Sequence, residues 1–145
     1  MTDVDTIDVL NRLAVLHHRS LAVYVSYAQP EWKRGEERAR QTLELIAADE
    51  QMTVDRLSEM ISGAGGNVHY GAFPMEYTGY HDLSFDFLLG KLIENQQDKI
   101  LQIQESLELL SLAPTAKSAV EEALGAAKGH LQSLQELQQP NLTIG

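Results

Sequence analysis

The chain of 145 residues contains no cysteine, which excludes disulfide bonds, iron–sulfur clusters and thiolate zinc sites. Positive charge is scarce as well: eleven lysines and arginines stand against twenty-one aspartates and glutamates, for a formal net charge of -10. An excess of that sign repels the phosphates of nucleic acids and anionic lipid headgroups. We therefore expect neither nucleic acid nor a membrane as a partner.

Long apolar runs are also missing, since none approaches the roughly 20 residues that span a bilayer. The first five residues include two aspartates, whereas a secretory signal begins with basic residues before an apolar stretch. These features favour a cytoplasmic protein. With 43% hydrophobic residues, the chain suffices for one sizeable core and is too short for two typical domains. We expect residues 1-145 to form a single domain.

What the sequence does contain is helical periodicity. Apolar residues recur at steps of three and four, the spacing of one face of an α-helix, in four segments: roughly residues 6–28, 34–63, 83–112 and 115–138. Asp82 or Ser84 is expected to cap the third helix and Thr115 the fourth, because short side-chain oxygens accept hydrogen bonds from the first free backbone N–H groups. The chain is thus predicted to be all-α.

The link between the second and third predicted helices is unusually long, at about residues 65-82. A helix of about 26 residues is roughly 40 Å long, and about 17 extended residues reach roughly 55 Å. The link can therefore run the length of a bundle, while the two short links make antiparallel hairpins. We predict a four-helix bundle of two antiparallel hairpins joined by one long crossover. A lid or a disordered insertion is the alternative for the same segment.

Each predicted helix carries a polar side chain in or beside its apolar stripe. At about 100° per residue, His17, Glu50 and Gln96 lie near the centres of the first three apolar faces. His130 flanks the apolar face of the fourth helix. His17 and Glu50 lie at similar distances from the first turn, as do Gln96 and His130 from the last, so we expect the four to form one layer. Buried polar groups cost free energy unless they are satisfied, so this layer is the candidate functional site.

Two interpretations of the layer stay open. Metal sites inside bundles use inward carboxylates and histidines from facing helices, and His17, His130 and Glu50 with Gln96 match a single Zn²⁺ or Fe²⁺ ion with open coordination positions. The other interpretation is a metal-free polar network, because core histidines commonly pair with carboxylates. Glu50 is then the expected partner of His17 or His130.

On the first helix, Leu10-Asn11, His17 and Tyr24 follow one another at steps of seven. This pattern resembles the first helix of bacterioferritin-like and rubrerythrin-like proteins of the ferritin-like superfamily, with His17 at the place of a carboxylate ligand. The segment Asp49–Thr53 resembles their second-helix Glu-x-x-His motif, with threonine in place of the histidine.

The fourth-helix motif of the family falls on Ala127 and His130, so its glutamate is missing. The resemblance implies a ferritin-like bundle whose di-iron site is degenerate. A di-iron ferroxidase uses four carboxylates and two histidines, and Glu50 is the one clearly inward carboxylate. We therefore favour a bundle without enzymatic activity, structural or partner-binding. The alternative is a metalloprotein that holds one Fe or Zn ion for redox or hydrolytic chemistry.

A second set of apolar rows predicts assembly. Val9, Leu16 and Val23 recur every seven residues at about 100–140° from the core centre of the first helix, and Leu45 and Met52 repeat the pattern on the second. Apolar rows that point outward on neighbouring helices indicate that another chain or segment packs over them. We favour a homodimer in which these two helices meet across a two-fold axis. The alternative cover is the crossover of the same chain.

Overall fold

The structure is a computed structural model that describes residues 4–28, 32–68, 70–80 and 84–138. Within these ranges the chain is all-helical and contains no strand. The elements are α1 (Val4–His18), α2 (Leu21–Ala28), α3 (Glu37–Gly63), a 3₁₀ helix (Met75–Tyr80), α4 (Phe85–Glu108) and α5 (Pro114–Gln138). No helix in the described part of the chain combines the length and apolarity that crossing a bilayer requires.

The outer helix ends lie within four residues of the predicted ones, but one predicted cap is wrong. Ser84 caps α4 as expected, because its Oγ accepts a hydrogen bond from the Phe87 N–H at 3.4 Å, whereas Asp82 lies outside the described residues. The expected cap Thr115 instead lies inside α5, which begins at Pro114. Proline suits a first turn because its missing N–H would have no helical partner there.

A break divides the predicted first helix into α1 and α2. Ser20 caps α2: its Oγ accepts from the Val23 N–H at 3.2 Å, and its carbonyl accepts from the Tyr24 N–H at 3.1 Å. Serine competes for nearby backbone groups in this way and so favours caps over helix interiors. The apolar stripe continues through the break, so periodicity alone missed it. Ser20 itself is buried.

The core consists of two clusters of buried apolar side chains. The first contains residues of α2, of the N-terminal halves of α3 and α4, of the 3₁₀ helix and of the end of α5: Leu21, Ala22, Tyr24, Val25, Ala39, Leu43, Ile46, Tyr77, Phe85, Leu89, Leu92, Ile93 and Leu134. The second contains residues of α1, of the C-terminal halves of α3 and α4 and of the loop and helix that follow: Val9, Leu10, Leu13, Ala14, Leu57, Ile61, Ile100, Ile103, Leu110, Ala116, Val120 and Ala127. The candidate site lies where α1 gives way to α2 and where α3 and α4 pass from one cluster to the other.

The described part of the segment between α3 and α4, which we call the crossover, packs on the helices. The Tyr70 ring stacks on the ring of His18, with centroids 4.3 Å apart, and the Tyr70 hydroxyl shares a hydrogen bond with Ser58. Further along, Phe73 meets the edge of Tyr24 at a centroid distance of 5.0 Å. The crossover therefore contacts α1, α2 and α3.

The outward apolar rows are only partly exposed. Val9 was expected to point away from the core, but it is 3% exposed and belongs to the second cluster. The apolar arc of α1 is wider than expected because the crossover also packs on that cluster through Val68 and Tyr70. Leu16 and Val23 are half-buried. In contrast, the α3 pair is open to solvent, with exposures of 68% for Leu45 and 69% for Met52.

Candidate functional site in the bundle core

Three of the four predicted site residues are buried, each on a different helix. The exposed fractions are 3% for His17 on α1, 2% for Glu50 on α3 and 1% for Gln96 on α4. The fourth, His130 on α5, has a side chain that is 12% exposed. Their hydrogen bonds, however, lead to different partners, so the predicted layer is divided into separate contacts.

Glu50 is the centre of a buried ion pair. Its Oε1 accepts a hydrogen bond from the ammonium of Lys99, and both side chains are 2% exposed. Its Oε2 accepts a hydrogen bond from the hydroxyl of Ser20. Both carboxylate oxygens are thus engaged, and a cation supplied by α4 compensates the negative charge.

Burial has a strong effect on Lys99. Loss of hydration disfavours the charged form and lowers the pKa of Lys99 below its usual value. An ammonium in such a place persists only beside a compensating carboxylate, which Glu50 provides. The two side chains therefore depend on each other, and together they connect α3 to α4.

His17 is held as a neutral imidazole. Its Nδ1 donates a hydrogen bond to the Leu13 carbonyl oxygen at 2.8 Å, one helical turn earlier. The pKa of His17 is lowered from 6.5 to about 4, first because of burial and second because of the positive charge of Lys99, against the opposing effect of the Leu13 hydrogen bond. His130 adds a smaller lowering effect. The region therefore already contains more positive charge than it readily accommodates.

The other two predicted site residues connect neighbouring helices. The amide of Gln96 donates to the backbone carbonyl of Ala127 at 2.9 Å, which joins α4 to α5. The imidazole Nε2 of His130 lies 2.9 Å from Oδ2 of Asp49, a residue 56% exposed at its side chain. The pairing of His130 with Glu50 that the sequence suggested is therefore wrong. Asp49 precedes Glu50 by one residue, or about 100° around α3, and faces α5 instead.

As arranged, these donors do not fit a metal ion. Among the described residues, no group of three or more His, Cys, Asp and Glu side chains is placed to hold one. A divalent cation needs free carboxylate oxygens and neutral imidazoles, whereas both oxygens of Glu50 already accept hydrogen bonds. The Lys99 ammonium would in addition repel a second cation at short range.

The sequence contained a signal for both residues that the prediction missed. Lys99 follows Gln96 by three positions and precedes Ile103 by four, so it shares their helical face. Ser20 likewise follows His17 by three. Lysine is almost never fully buried unless it is paired. Residue type therefore favours an exposed Lys99, although its position in the apolar stripe indicates burial.

Comparison with known proteins gives a likeness in fold. Neither a family model nor a curated protein matches the sequence. Among solved structures, antigen TpF1 from Treponema pallidum is similar, with a TM-score of 0.71 over 97% of each chain and 12% sequence identity. Identity this low shows a shared helical architecture alone, so the chemistry of the core has to be argued from the residues of this chain.

Proposed function

We propose that the protein is a ferritin-like four-helix bundle without enzymatic activity, in which the Lys99 ammonium takes the place of a metal ion as the cation of the core. The observation that carries the proposal is the buried pair of Lys99 with Oε1 of Glu50. Ser20 occupies the second carboxylate oxygen. The site is thus complete in charge and in hydrogen bonds without an added ion.

The ferritin-like topology is supported by the division of the core. The N-terminal halves of α3 and α4 contribute to the first cluster, and their C-terminal halves contribute to the second. This division is expected when the two helices run parallel and the segment between them crosses the bundle from end to end. The likeness in fold to antigen TpF1 agrees with it.

The role of the pair in this proposal is structural. Replacing a buried ion pair by apolar side chains is often neutral, but removing one partner leaves an uncompensated charge and costs about 3–5 kcal/mol. Lys99 and Glu50 therefore hold α3 and α4 in one register, because sliding either helix would separate the charges. Through Ser20, the same carboxylate also fixes the break between α1 and α2.

Metal analysis tests the proposal. Protein purified without an affinity tag is incubated with Fe²⁺ or Zn²⁺, desalted and analysed for bound metal, and we expect background levels. One ion per chain that is lost in Glu50→Ala, and retained in the control Asp55→Ala on the exposed face of α3, would contradict it. That outcome would support the alternative, a metalloprotein with a single Fe or Zn ion in the core.

We also propose that the bundle acts as a homodimer in which α3 makes the central contact. The support is the pair Leu45 and Met52, seven residues apart on one helical face and both largely exposed. Leu16 and Val23 are half-buried and can contribute only at its margin, while Val9 is not available.

Sedimentation velocity tests this contact. Leu45→Glu together with Met52→Glu should give a monomer with unchanged helicity, because exposed side chains contribute little to folding. The control adds the same charge elsewhere, with Gln104→Glu on α4 and Ser118→Glu on α5, and should stay dimeric. A wild-type chain that is monomeric at micromolar concentration would overturn the dimer.

A further inference from the structure

A cleft of about 450 Å³ lies between α1 and α4, beside the crossover. Its volume falls within the roughly 300–1,000 Å³ of small-molecule sites. None of the residues of the buried ion pair lines it. The cleft is therefore a second polar feature of the molecule, and ligand binding there does not depend on whether the core holds a metal.

The charges in the cleft are two guanidinium groups and one carboxylate. Arg12 and Arg19 come from α1 and its C-terminal end, two helical turns apart and hence on the same side, and Asp98 comes from α4. The local balance is positive, although the whole chain carries a net charge of -10. Guanidinium groups bind carboxylates in a planar, bidentate geometry.

Arg19 is fixed in position by the crossover. Its Nε donates to the backbone carbonyl of Tyr70. Its guanidinium lies against Gly71, where a Cβ atom would stand 1.8 Å from Nη2 and the backbone has a φ of +67°. Glycine is required there for both the space and the conformation. The chain therefore places this charge at the cleft instead of leaving it free in solvent.

The opposite wall is held by hydrogen bonds as well. Asp98 accepts from the Gln102 amide at 2.7 Å. The Asn95 amide donates to the Tyr77 hydroxyl at 3.4 Å, while its oxygen accepts from the Leu21 N–H at 3.2 Å. Polar groups that are held in place before a ligand arrives lose less entropy when they bind it.

We propose that this cleft binds an acidic α-amino acid, glutamate or aspartate. Such a ligand carries two carboxylates and one ammonium, which complement the two guanidinium groups and the one carboxylate of the cleft. The ammonium pairs with Asp98, the carboxylate on the α4 side of the cleft. The methylene groups of the ligand pack against Val15 and Leu16 on the α1 side.

Calorimetric titration of the full chain at neutral pH and low salt tests this proposal. L-glutamate or L-aspartate should give saturable binding at one site per chain. Glutarate, which lacks the ammonium, and γ-aminobutyrate, which lacks one carboxylate, should each bind at least tenfold more weakly. Tenfold corresponds to about 1.4 kcal/mol, a loss expected when one charge-assisted hydrogen bond is removed.

Two variants locate the site. Arg12→Gln, on an exposed side chain, and Asp98→Asn should each weaken glutamate binding at least tenfold, while the control Arg38→Gln on exposed α3 surface leaves it unchanged. Circular dichroism verifies that each variant is folded. The proposal is overturned if neither amino acid gives a saturable signal at about 10 mM. Equal affinity for glutarate, or glutamate binding that Arg12→Gln leaves intact, would overturn it too.

Discussion

The core ion pair and the cleft between α1 and α4 contain similar charged side chains, which are paired with one another in the core and exposed in the cleft. In the core, Lys99 and Ser20 satisfy both oxygens of Glu50, and all three side chains are buried. In the cleft, the charged residues Arg12 and Asp98 are exposed. Charges that the chain itself neutralises stabilise one arrangement of helices, whereas polar groups left facing a cavity are the ones that can recognise a ligand.

The largest loss of stability is expected when one partner of the core ion pair is removed. Lys99→Met removes the ammonium and leaves the Glu50 carboxylate buried without its cation, which should cost about 3–5 kcal/mol of unfolding free energy. Urea denaturation measures the loss. Adding Glu50→Leu to Lys99→Met should restore most of it, because two apolar side chains replace the pair. Losses that simply add in the double variant would show that the two residues are not coupled.

The pH dependence of His17 should be the next largest effect. The folded-state pKa of about 4 lies below the unfolded value of 6.5, so the unfolded chain binds the extra proton first and stability falls as the pH drops through this window. The contribution lost is about 3 kcal/mol. Urea denaturation between pH 7 and pH 4 should therefore show a shallower decline for His17→Gln than for the wild-type protein. Identical slopes for the two proteins would argue against a buried neutral imidazole.

These core contacts also show where prediction from sequence succeeds. The apolar stripes predicted the helices and the inward positions of His17, Glu50 and Gln96. Such positions can be predicted because each residue adds a fixed rotation around the helix axis, so spacing along the chain determines which face a side chain occupies. The same spacing placed Lys99 inward, but lysine is rarely buried, so the cation of the site was missed.

Contacts between helices were harder to predict than the helices themselves. His130 pairs with Asp49 and not with Glu50, and a rotation of about 100° around α3 separates the two choices. Val9 was assigned outward because the packing of the crossover was unknown. The cleft depends on Arg19 meeting Tyr70 and Gly71, residues about 50 positions apart whose contact no periodicity encodes.

A smaller loss is expected at the break between α1 and α2. Ser20→Ala removes both the cap of α2 and one hydrogen bond to Glu50, which together should cost about 2 kcal/mol. Thermal unfolding followed by circular dichroism measures it. Ser118→Ala, on an exposed position of α5, provides the matched control and should change stability by less than about 0.5 kcal/mol. A loss in Ser20→Ala as small as in the control would remove Ser20 from the site.

The smallest change in stability is expected on the cleft side. Arg12→Gln should alter the unfolding free energy by less than about 0.5 kcal/mol in the absence of ligand, because the side chain is exposed. Denaturation in urea provides the value. A stability loss comparable to that of Lys99→Met would mean that the cleft charges support the fold, and the contrast between the two regions would fail.

A crystal structure of the protein soaked with Zn²⁺, with anomalous scattering recorded at the zinc edge, shows directly whether Lys99 or a metal ion is the cation of the core. We expect the Lys99 ammonium within hydrogen-bond distance of Glu50 Oε1 and no anomalous peak in the bundle core. An anomalous peak about 2.0–2.2 Å from a Glu50 oxygen, with Lys99 turned away, would contradict it.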